Sequence, residues 1–424
     1  MSERFGGPRG TLDWTPSRMA VRDHVVRTAM EVFERAGYRS CSVPAFEEFE
    51  LFVRSAGETS DVVAKEMYDF VDKGGRHVAL RPEFTAGVVR MYLNELTREP
   101  QPVRLWTAGP AYRYNRVQRG RYREFQQFDV EAIGSADPAV DAELIALQLA
   151  WYGALGIDGL RVELNSIDTP AERRSYVARL VAYLDAHEDA LSPDVRALRR
   201  TNPLRAFDTK DERSQDVLAG APKITESLSR GAREHFELVC AFLDARGLSY
   251  IVVPELVRGL DYYSHTVWEV RWPPLGAQST IGAGGRYDGF AEILGGAPTP
   301  GVGFAAGIER IVLSLEGQGL VPPSRPADVY VAIDEPAARP RLHAIADAIR
   351  ARGARVEYDL AGRTSKGQLK QASVLGASIV VSCGAEEWRR GEATIRHAGR
   401  SEVVALASIA PTVLSHLTER TAIA

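Results

Sequence analysis

A proline-rich segment divides this chain of 424 residues into two parts, because residues 321–326 contain three prolines. Proline lacks a backbone N–H and disfavours helical geometry in the residue before it, so such a segment interrupts helices and strands. The chain is also too long for one ordinary hydrophobic core. We therefore predict one domain over residues 1–325 and a second domain over residues 326–424.

The composition and charge indicate a globular protein without a general affinity for nucleic acids. Hydrophobic residues make up 45% and charged residues 25% of the chain, which is typical of soluble domains. The net charge is −4, so any contact with RNA has to come from local basic patches. We expect a cytoplasmic protein without membrane contact, because no apolar run is long enough to span a membrane and the first ten residues do not resemble a secretory signal.

The three cysteines are far apart in the sequence, at Cys41, Cys240 and Cys383, and none belongs to a CxxC pair. We therefore expect neither a disulfide framework nor a cysteine-based zinc site, which fits a reducing compartment. No other set of residues predicts a protein-bound metal.

Helical and extended patterns alternate in the first part of the chain. Apolar residues at helical spacing predict a first helix over residues 17–36, and residues 41–44 form a short extended run. Residues 103–134 contain two extended arms around a basic turn, which predicts an antiparallel hairpin. Residues from about 169 to 247 are rich in charged helix formers and predict a helical insertion.

Extended patterns return after the insertion, at residues 250–253 and 267–270. We then predict glycine-rich turns over residues 282–289 and a final helix that contains Phe304, Ile308, Val312 and Leu315. Beyond the prolines, short apolar runs alternate with helical segments at residues 342–349 and 366–375. This pattern predicts a small α/β domain with a mixed or parallel sheet.

Glu83 and Thr85 are the first candidate binding residues. In an extended segment, side chains two residues apart share one face, where a carboxylate and a hydroxyl can hold an ammonium group. The alternative is a helix start that Pro82 and Glu83 open.

The turn of the predicted hairpin is strongly basic, with five arginines between residues 113 and 123. Guanidinium groups form forked, charge-assisted hydrogen bonds with phosphate, so this turn suits a polyphosphate or an RNA end. The alternative is a solvated basic loop, which is the commoner outcome for arginine clusters.

Three further segments carry unusual combinations of residues. Residues 256–263 place an arginine, an acid and two tyrosines beside a glycine, which indicates the wall of a polar pocket rather than simple packing. Residues 282–289 are rich in glycine but match neither the Rossmann nor the P-loop spacing. Residues 301–310 have the pattern of a strand-to-helix turn with an arginine one turn into the helix, and close packing through small residues is the alternative.

Taken together and in this order, these segments resemble those of the histidyl-tRNA synthetases, a family of class II aminoacyl-tRNA synthetases. The segment around Pro44 is similar to class motif 1, the hairpin to motif 2, and residues 301–310 to motif 3. Residues 258–263 and 283–289 resemble the two histidine-specific boxes. The resemblance covers essentially the whole chain. It implies an α+β fold, in which an antiparallel sheet is flanked by helices, with a helical insertion and a C-terminal α/β anticodon-binding domain.

The resemblance also implies an activity and its partners. ATP, with Mg²⁺, would activate L-histidine to histidyl-adenylate, and the histidyl group would pass to the 3′ end of tRNA(His) in an obligate homodimer. Glu83 and Thr85 are expected to hold the ammonium group of histidine, with Phe84 between them in the same segment. Glu131 and Tyr263 are expected to take the two imidazole nitrogens, with Tyr262 beside them.

The remaining roles concern ATP and tRNA. The resemblance assigns Arg113 to the α-phosphate and Arg310 to the γ-phosphate, and it places Gln127 and Arg258 near the histidine carboxylate and the reacting phosphorus. Arg258 and Arg113 are therefore the catalytic candidates, and Asn115 is the candidate for the adenine amino group. Our candidate tRNA contacts are Gln118, Arg121, Arg363, Lys366 and Lys370, of which the last three have the spacing of one helical face. For those three, a solvated basic face is the alternative.

Four positions depart from the family pattern. Glycine is usual at Phe84, glutamate at Asn115, proline at Val117 and arginine at His265.

Two other functions are compatible with parts of the sequence. A regulatory subunit of ATP phosphoribosyltransferase resembles the catalytic domain but typically lacks the anticodon-binding domain and the substrate residues. An RNA-binding paralogue with an inactive site is the second alternative.

Overall fold

The computed structural model describes residues 5–57, 60, 62–260, 262–322 and 326–421. The chain forms two compact units, one up to Pro322 and one after it, and each has its own sheet and hydrophobic core. The predicted linker lies partly outside the described residues, and the domain boundary at residue 325 stays a prediction.

The first unit contains eleven strands and ten α-helices among its described residues. The strands are β1 Arg39–Ser40, β2 Phe46–Glu48, β3 Asp69–Val71, β4 His77–Leu80, β5 Val103–Tyr112, β6 Glu124–Ile133, β7 Arg161–Ser166, β8 Ile251–Val252, β9 Ser264–Arg271, β10 Thr280–Arg286 and β11 Gly301–Gly307. The helices are α1 Pro16–Arg35, α2 Phe49–Ala56, α3 Thr85–Met91, α4 Pro138–Ala154, α5 Arg174–Ala186, α6 Pro193–Thr201, α7 Glu212–Ala219, α8 Arg230–Ala245, α9 Phe290–Ile293 and α10 Ile308–Gln318.

Eight of these strands form one sheet in the order β1-β5-β6-β11-β10-β9-β7-β8. The pairs from β5 to β7 are all antiparallel, and only the outer pairs β1–β5 and β7–β8 are parallel. Helices α1, α4 and α10 contribute to the core on this sheet, where the buried Trp151 indole donates a hydrogen bond to the Val25 carbonyl over 3.1 Å. The predicted antiparallel sheet with flanking helices is confirmed.

Several predicted elements are confirmed with small shifts in their ends. The first helix is α1, with Val25 and Phe33 among its buried residues. The predicted hairpin is the β5–β6 pair, in register from Val103 opposite Ile133 to Tyr112 opposite Glu124. The predicted insertion contains α5 to α8 between β7 and β8, so its helical character is confirmed.

Three local predictions were wrong. Residues 41–44 are not a strand: pairing with β5 stops at Ser40, followed by one bond from the Cys41 N–H to the Trp106 carbonyl. Phe304 lies in β11 and not in the following helix, which begins at Ile308. Most of the glycine-rich segment 282–289 is not a turn, because residues up to Arg286 form β10 in the middle of the sheet.

The second unit is a smaller α/β fold. Its strands are β12 Val329–Ile333, β13 Val356–Tyr358, β14 Ile379–Cys383, β15 Glu392–His397 and β16 Arg400–Ala405, and its helices are α11 Arg339–Arg350, α12 Ser365–Val374, α13 Ala385–Arg390 and α14 Ile409–Thr421. The sheet order is β13-β12-β14-β15-β16, with the first three strands parallel and the last two antiparallel. The predicted α/β domain is confirmed, and its sheet is mixed.

None of the helices in the described part of the chain combines the length and the apolar character that crossing a membrane requires.

Candidate active site

One cavity of roughly 340 Å³ opens in the first unit, over the strands β6, β10 and β11. Its walls come from the segment before α3, the β5–β6 turn, the loop before β9 and the start of α10. The structure brings together here ten of the residues that the sequence singled out: Glu83, Thr85, Arg113, Asn115, Arg121, Gln127, Arg258, Tyr262, Tyr263 and Arg310.

Glu83 lies at one end of the cavity and begins a helix. Its carboxylate accepts hydrogen bonds from the backbone N–H groups of Thr85, at 2.6 Å, and Ala86, at 3.0 Å. Thr85 is the first residue of α3, so the two side chains do not share the face of an extended segment, and the helix-start alternative describes the local backbone correctly. Both side chains nevertheless line the cavity. Burial raises the pKa of Glu83 despite these bonds.

Glu131 is almost fully buried beside the same end of the cavity. One carboxylate oxygen accepts a hydrogen bond from the Tyr287 hydroxyl at 2.6 Å, and the other forms none within the described residues. The nearby Thr85 hydroxyl and the Tyr287 hydroxyl favour the charged form of this carboxylate. Burial raises the pKa of Glu131 to about 7, and burial together with the nearby Glu131 raises the pKa of Asp129 well above its ordinary value. Glu83, Asp129 and Glu131 therefore form an acidic end that suits a cationic or hydrogen-donating ligand.

We expect Glu131→Gln to raise the free energy of unfolding of the ligand-free protein by roughly 1–3 kcal/mol at pH 8. The folded-state pKa of about 7 lies above the ordinary value of 4.5, so the stability that this group contributes is fully present below pH 4.5 and is lost as the pH rises through 7. Glutamine stays neutral, so the difference between variant and wild type should grow between pH 4.5 and 7. Denaturant unfolding at pH 5 and pH 8 measures it.

The matched control is Glu316→Gln on the exposed surface of α10. It should not change the pH dependence. An equal gain in stability at both pH values for Glu131→Gln would contradict the buried-charge explanation.

A second group of lining residues contains arginines and forms the basic end of the cavity. Arg310 donates to the carbonyl oxygens of Gly120, at 2.9 Å, and Thr280, at 2.7 Å, and to the side chain of Gln278 at 2.7 Å. Burial, together with the positive charges of Arg121 and Arg113, lowers the pKa of Arg310 to about 10. A buried arginine whose charge is destabilised by two neighbouring arginines indicates a site for a polyanion.

Arg113 and Asn115 are held differently at this basic end. The Arg113 Nε donates to the Pro82 carbonyl at 2.8 Å, and no hydrogen bond to its terminal nitrogens occurs within the described residues. The Asn115 side-chain oxygen accepts two bonds from Arg121, at 2.9 and 2.6 Å. Arg121 also pairs with Glu66 at 3.0 Å. Arg121 is thus oriented toward the cavity wall.

Arg258 also lines the cavity and forms a partly buried ion pair with Glu269. Glu269 also accepts from the Thr280 hydroxyl at 2.7 Å and pairs with Arg271 at 2.9 Å. The Arg258 Nε is buried and forms no hydrogen bond within the described part of the chain. Tyr262 and Tyr263 stand on the same loop with their ring centroids 4.6 Å apart.

Three residues of the site were missed in the sequence: Asp129, Glu269 and Tyr287. Tyr287 lies within a segment that the sequence did single out, but its bond to Glu131 depends on strand pairing across the sheet. Asp129 and Glu269 alternate with apolar residues in β6 and β9, and that alternation is the signal that would have assigned them to one face.

Two glycines of β10 and β11 make room for side chains of the site. A Cβ atom at Gly285 would lie 2.7 Å from the Tyr263 ring, and one at Gly303 would overlap the Glu131 carboxylate. Such contacts are too short for ordinary packing. The glycine-rich segment therefore leaves space for neighbouring side chains and does not form a phosphate-binding loop.

The other predicted site residues lie outside the cavity. Phe84 is buried under the Arg81 guanidinium, 4.2 Å from its ring centre, and Gln118 pairs with Arg121 in the hairpin turn. Lys366 and Lys370 are exposed on α12 of the second unit. The prediction that Arg363 shares their helical face was wrong, because it precedes the helix and its guanidinium pairs with Asp359 at 2.7 Å.

Comparisons with known proteins give a consistent result along the chain. A family model described as histidyl-tRNA synthetase matches residues 10–311, and one described as anticodon binding domain matches residues 328–415. The chain is 45% identical to the histidine–tRNA ligase of Rubrobacter xylanophilus, over 92% of this chain and 93% of that protein. It is 43% identical to that of Desulforamulus reducens, over 94% and 96%. The apo histidyl-tRNA synthetase of S. aureus has a TM-score of 0.81 at 33% identity, covering 97% of this chain and 100% of that one.

Proposed function

Because this chain belongs to the histidyl-tRNA synthetases, we propose that its cavity binds L-histidine at the acidic end and ATP at the basic end. The enzyme is a histidine–tRNA ligase of class II. It activates histidine with ATP to histidyl-adenylate and transfers the histidyl group to the 3′ end of tRNA(His), releasing AMP and diphosphate.

The opposite charges of the two ends are the observation that carries this proposal. Burial raises the pKa values of Glu83, Asp129 and Glu131 at one end, and burial with mutual repulsion lowers the pKa of Arg310 at the other. An ammonium group and an imidazole N–H stabilise the buried carboxylates, and a triphosphate stabilises the buried guanidinium groups. The two ligands then lie in one cavity of roughly 340 Å³.

In the first step, a carboxylate oxygen of histidine attacks the α-phosphorus of ATP. A bond forms between that oxygen and phosphorus, and the bond from phosphorus to the β-phosphate oxygen breaks to release diphosphate. The carboxylate is already a nucleophile at neutral pH, so the enzyme has to orient the reactants and stabilise charge on the phosphoryl oxygens. In the second step a tRNA hydroxyl oxygen forms a bond with the acyl carbon, the bond from that carbon to the phosphate oxygen breaks, and AMP leaves with the hydroxyl proton on its phosphate.

The acidic end of the cavity supplies the residues that bind the substrate histidine. Glu83 and Thr85 hold the ammonium group, since each carboxylate oxygen of Glu83 keeps a second acceptor position beside its bond to a backbone N–H. The hydroxyl of Tyr263, which lines the cavity, and the unbonded oxygen of Glu131, which is buried beside the lining residues Tyr287 and Gly303, take the imidazole nitrogens, with Tyr262 beside them. Phe84 supports this segment from the core. An analogue without imidazole nitrogens would leave these groups unsatisfied, so the site rejects it.

The basic end of the cavity supplies the residues that bind ATP. Arg113 binds the α-phosphate, Arg310 the γ-phosphate and Asn115 the adenine amino group, while Gln127 and Arg258 lie near the histidine carboxylate. The terminal nitrogens of Arg113 support its role, since no hydrogen bond to them occurs within the described residues. Mg²⁺ neutralises phosphate charge when it is bound with ATP. Oxygen ligands suit this ion, and the carboxylate of Glu269 at the cavity wall is of that kind.

We expect Asn115→Glu to tighten ATP binding about fivefold, because a charged acceptor contributes roughly 1 kcal/mol more than a neutral one. The competing explanation is that Asn115 only orients Arg121, whose guanidinium occupies its oxygen. Calorimetric titration with ATP separates the two. Histidine affinity should stay fixed and serves as the control. Unchanged or weaker ATP binding by a folded variant would favour the competing explanation.

The domain roles and assembly complete the proposal. Residues 1–325 form the catalytic domain, with the insertion at about 169–247, and residues 326–424 bind the anticodon. Gln118 and Arg121 contact tRNA from the hairpin, and Arg363, Lys366 and Lys370 contact it from the second domain. A homodimer is supported by exposed Phe46, Phe70 and Val71 on the small sheet β2-β4-β3. A cytoplasmic location fits an enzyme of translation.

Histidine-dependent exchange of labelled diphosphate into ATP tests the proposed activity. The protein should exchange diphosphate with histidine and not with other amino acids, and it should charge tRNA(His). A regulatory subunit or an inactive paralogue would give no exchange, and that result would overturn the proposal.

A further inference from the structure

The loop between β8 and β9 carries Arg258, Tyr262 and Tyr263 into the cavity, yet its own backbone is sparsely bonded. The Leu256 N–H donates to the Val253 carbonyl at 2.9 Å. Residues 257–260 belong to no helix or strand, and Tyr262 lies in a turn. The position of this loop therefore depends on side chains from other elements.

Two side chains hold the ends of this loop. Asn165 of β7 donates to the carbonyl oxygens of Pro254, at 3.1 Å, and Leu256, at 2.9 Å. Arg173 donates through Nη1 to the Tyr263 carbonyl at 2.9 Å. Asn165 belongs to the sheet, whereas Arg173 directly precedes α5, the first helix of the insertion. The second anchor thus connects the insertion to the backbone of a residue of the histidine site.

Packing between the insertion and the loop is incomplete. A second cavity of roughly 190 Å³ lies between them, lined by Val177 and residues 201–204 of the insertion and by Val257, Arg258 and Leu260 of the loop. This cavity is partly open to solvent, so it is a cleft that separates the loop from the insertion along these residues. The bond from Arg173 spans the edge of this space, since Arg173 is also part of its lining.

We propose that Arg173 is a positioning residue, through which the helical insertion sets the place of Tyr263 and its neighbours for histidine. Arg173 is not among the residues that line the candidate active-site cavity. Its guanidinium donates a charge-assisted hydrogen bond to the Tyr263 carbonyl. This bond fixes the backbone of Tyr263, whose hydroxyl is proposed to bind the imidazole ring. This inference rests on the proposed function of the cavity, and it adds a role for the insertion in amino-acid recognition.

The substitution Arg173→Met tests the inference, because methionine keeps much of the aliphatic stem and removes the donor. Histidine affinity, measured by calorimetry without nucleotide, should fall about tenfold, as expected for the loss of one charge-assisted bond. The KM for histidine in diphosphate exchange should rise by a similar factor. The KM for ATP, and kcat at saturating histidine, should stay within about twofold of wild type.

Two further variants keep the test decisive. Arg174→Met changes the next residue, an exposed arginine that donates to the Ala171 carbonyl at 3.1 Å, and should leave histidine affinity unchanged. Arg173→Lys keeps a cationic donor and should recover most of the affinity. Unchanged histidine affinity in Arg173→Met, equal rises in the KM values for histidine and ATP, or a lysine variant as weak as the methionine variant would each overturn the inference. Absence of exchange in the wild type would instead contradict the proposed function.

Discussion

Replacing Arg258 by alanine is expected to slow the formation of histidyl-adenylate by roughly 10²–10³-fold, in line with the loss of one donor to the transition state. Arg258 lines the same cavity as Glu83 and Arg113, in which, under the proposed function, the histidine carboxylate and the α-phosphate meet. Two anions react there, so a fixed cation stabilises the transition state more than the separate substrates. Histidine affinity should change far less than the rate.

Stopped-flow measurement of adenylate formation tests this expectation. Arg271→Ala is a matched control, because Arg271 pairs with Glu269 as Arg258 does but does not line the cavity. Its rate should remain near that of wild type. An Arg258→Ala rate within threefold of wild type would refute the assignment.

Removal of all residues after Arg325 is expected to spare histidine-dependent diphosphate exchange while charging of tRNA(His) falls by a factor on the order of 10² or more, since roughly 3 kcal/mol of tRNA binding is lost. The catalytic cavity lies wholly in the first unit, which has its own hydrophobic core. The second unit also has a separate core, so each part is expected to fold after the cut. Equal charging efficiency before and after truncation would contradict the anticodon role.

Point substitutions refine the truncation experiment. Lys366→Gln with Lys370→Gln removes two exposed charges from α12 and should raise the KM for tRNA without affecting exchange. Arg389→Gln with Arg390→Gln removes two exposed charges from α13 and is the control. If both double variants raise the KM for tRNA equally, the rise comes from the loss of general electrostatic attraction and not from the loss of a contact with α12.

The sequence predicted those features that depend on local periodicity or on segments with unusual chemistry. Helix α1 follows from repeated apolar spacing, and neighbouring elements only adjust its ends. The β5–β6 hairpin follows from two extended arms around a basic turn, and the helical insertion follows from its charged helix-forming residues. The grouping of Glu83, Arg113, Arg258 and Arg310 in one cavity followed from the family resemblance, since their separation in the chain exceeds any local rule.

Features that depend on pairing across the sheet could not be predicted in this way. The glycines of residues 282–289 indicated a turn, because glycine is common in turns and weakens isolated strands. In the structure they lie in a central strand, where the close approach of Tyr263 decides the residue type at Gly285. The engagement of Asn115 by Arg121 likewise depends on the conformation of the hairpin turn, which side-chain spacing does not determine.

The glycines beneath the site have a consequence for inhibitor design and drug resistance. At Gly285 and Gly303, any larger residue would occupy the space that Tyr263 and Glu131 need. A compound that binds against the side chains of Tyr263 and Glu131 therefore contacts groups that substitutions at these two glycines would displace, at the cost of the proposed recognition of histidine. Resistance to such a compound is expected to arise in the surrounding loops, where side chains can change, and these are the positions to follow in a resistance-selection experiment.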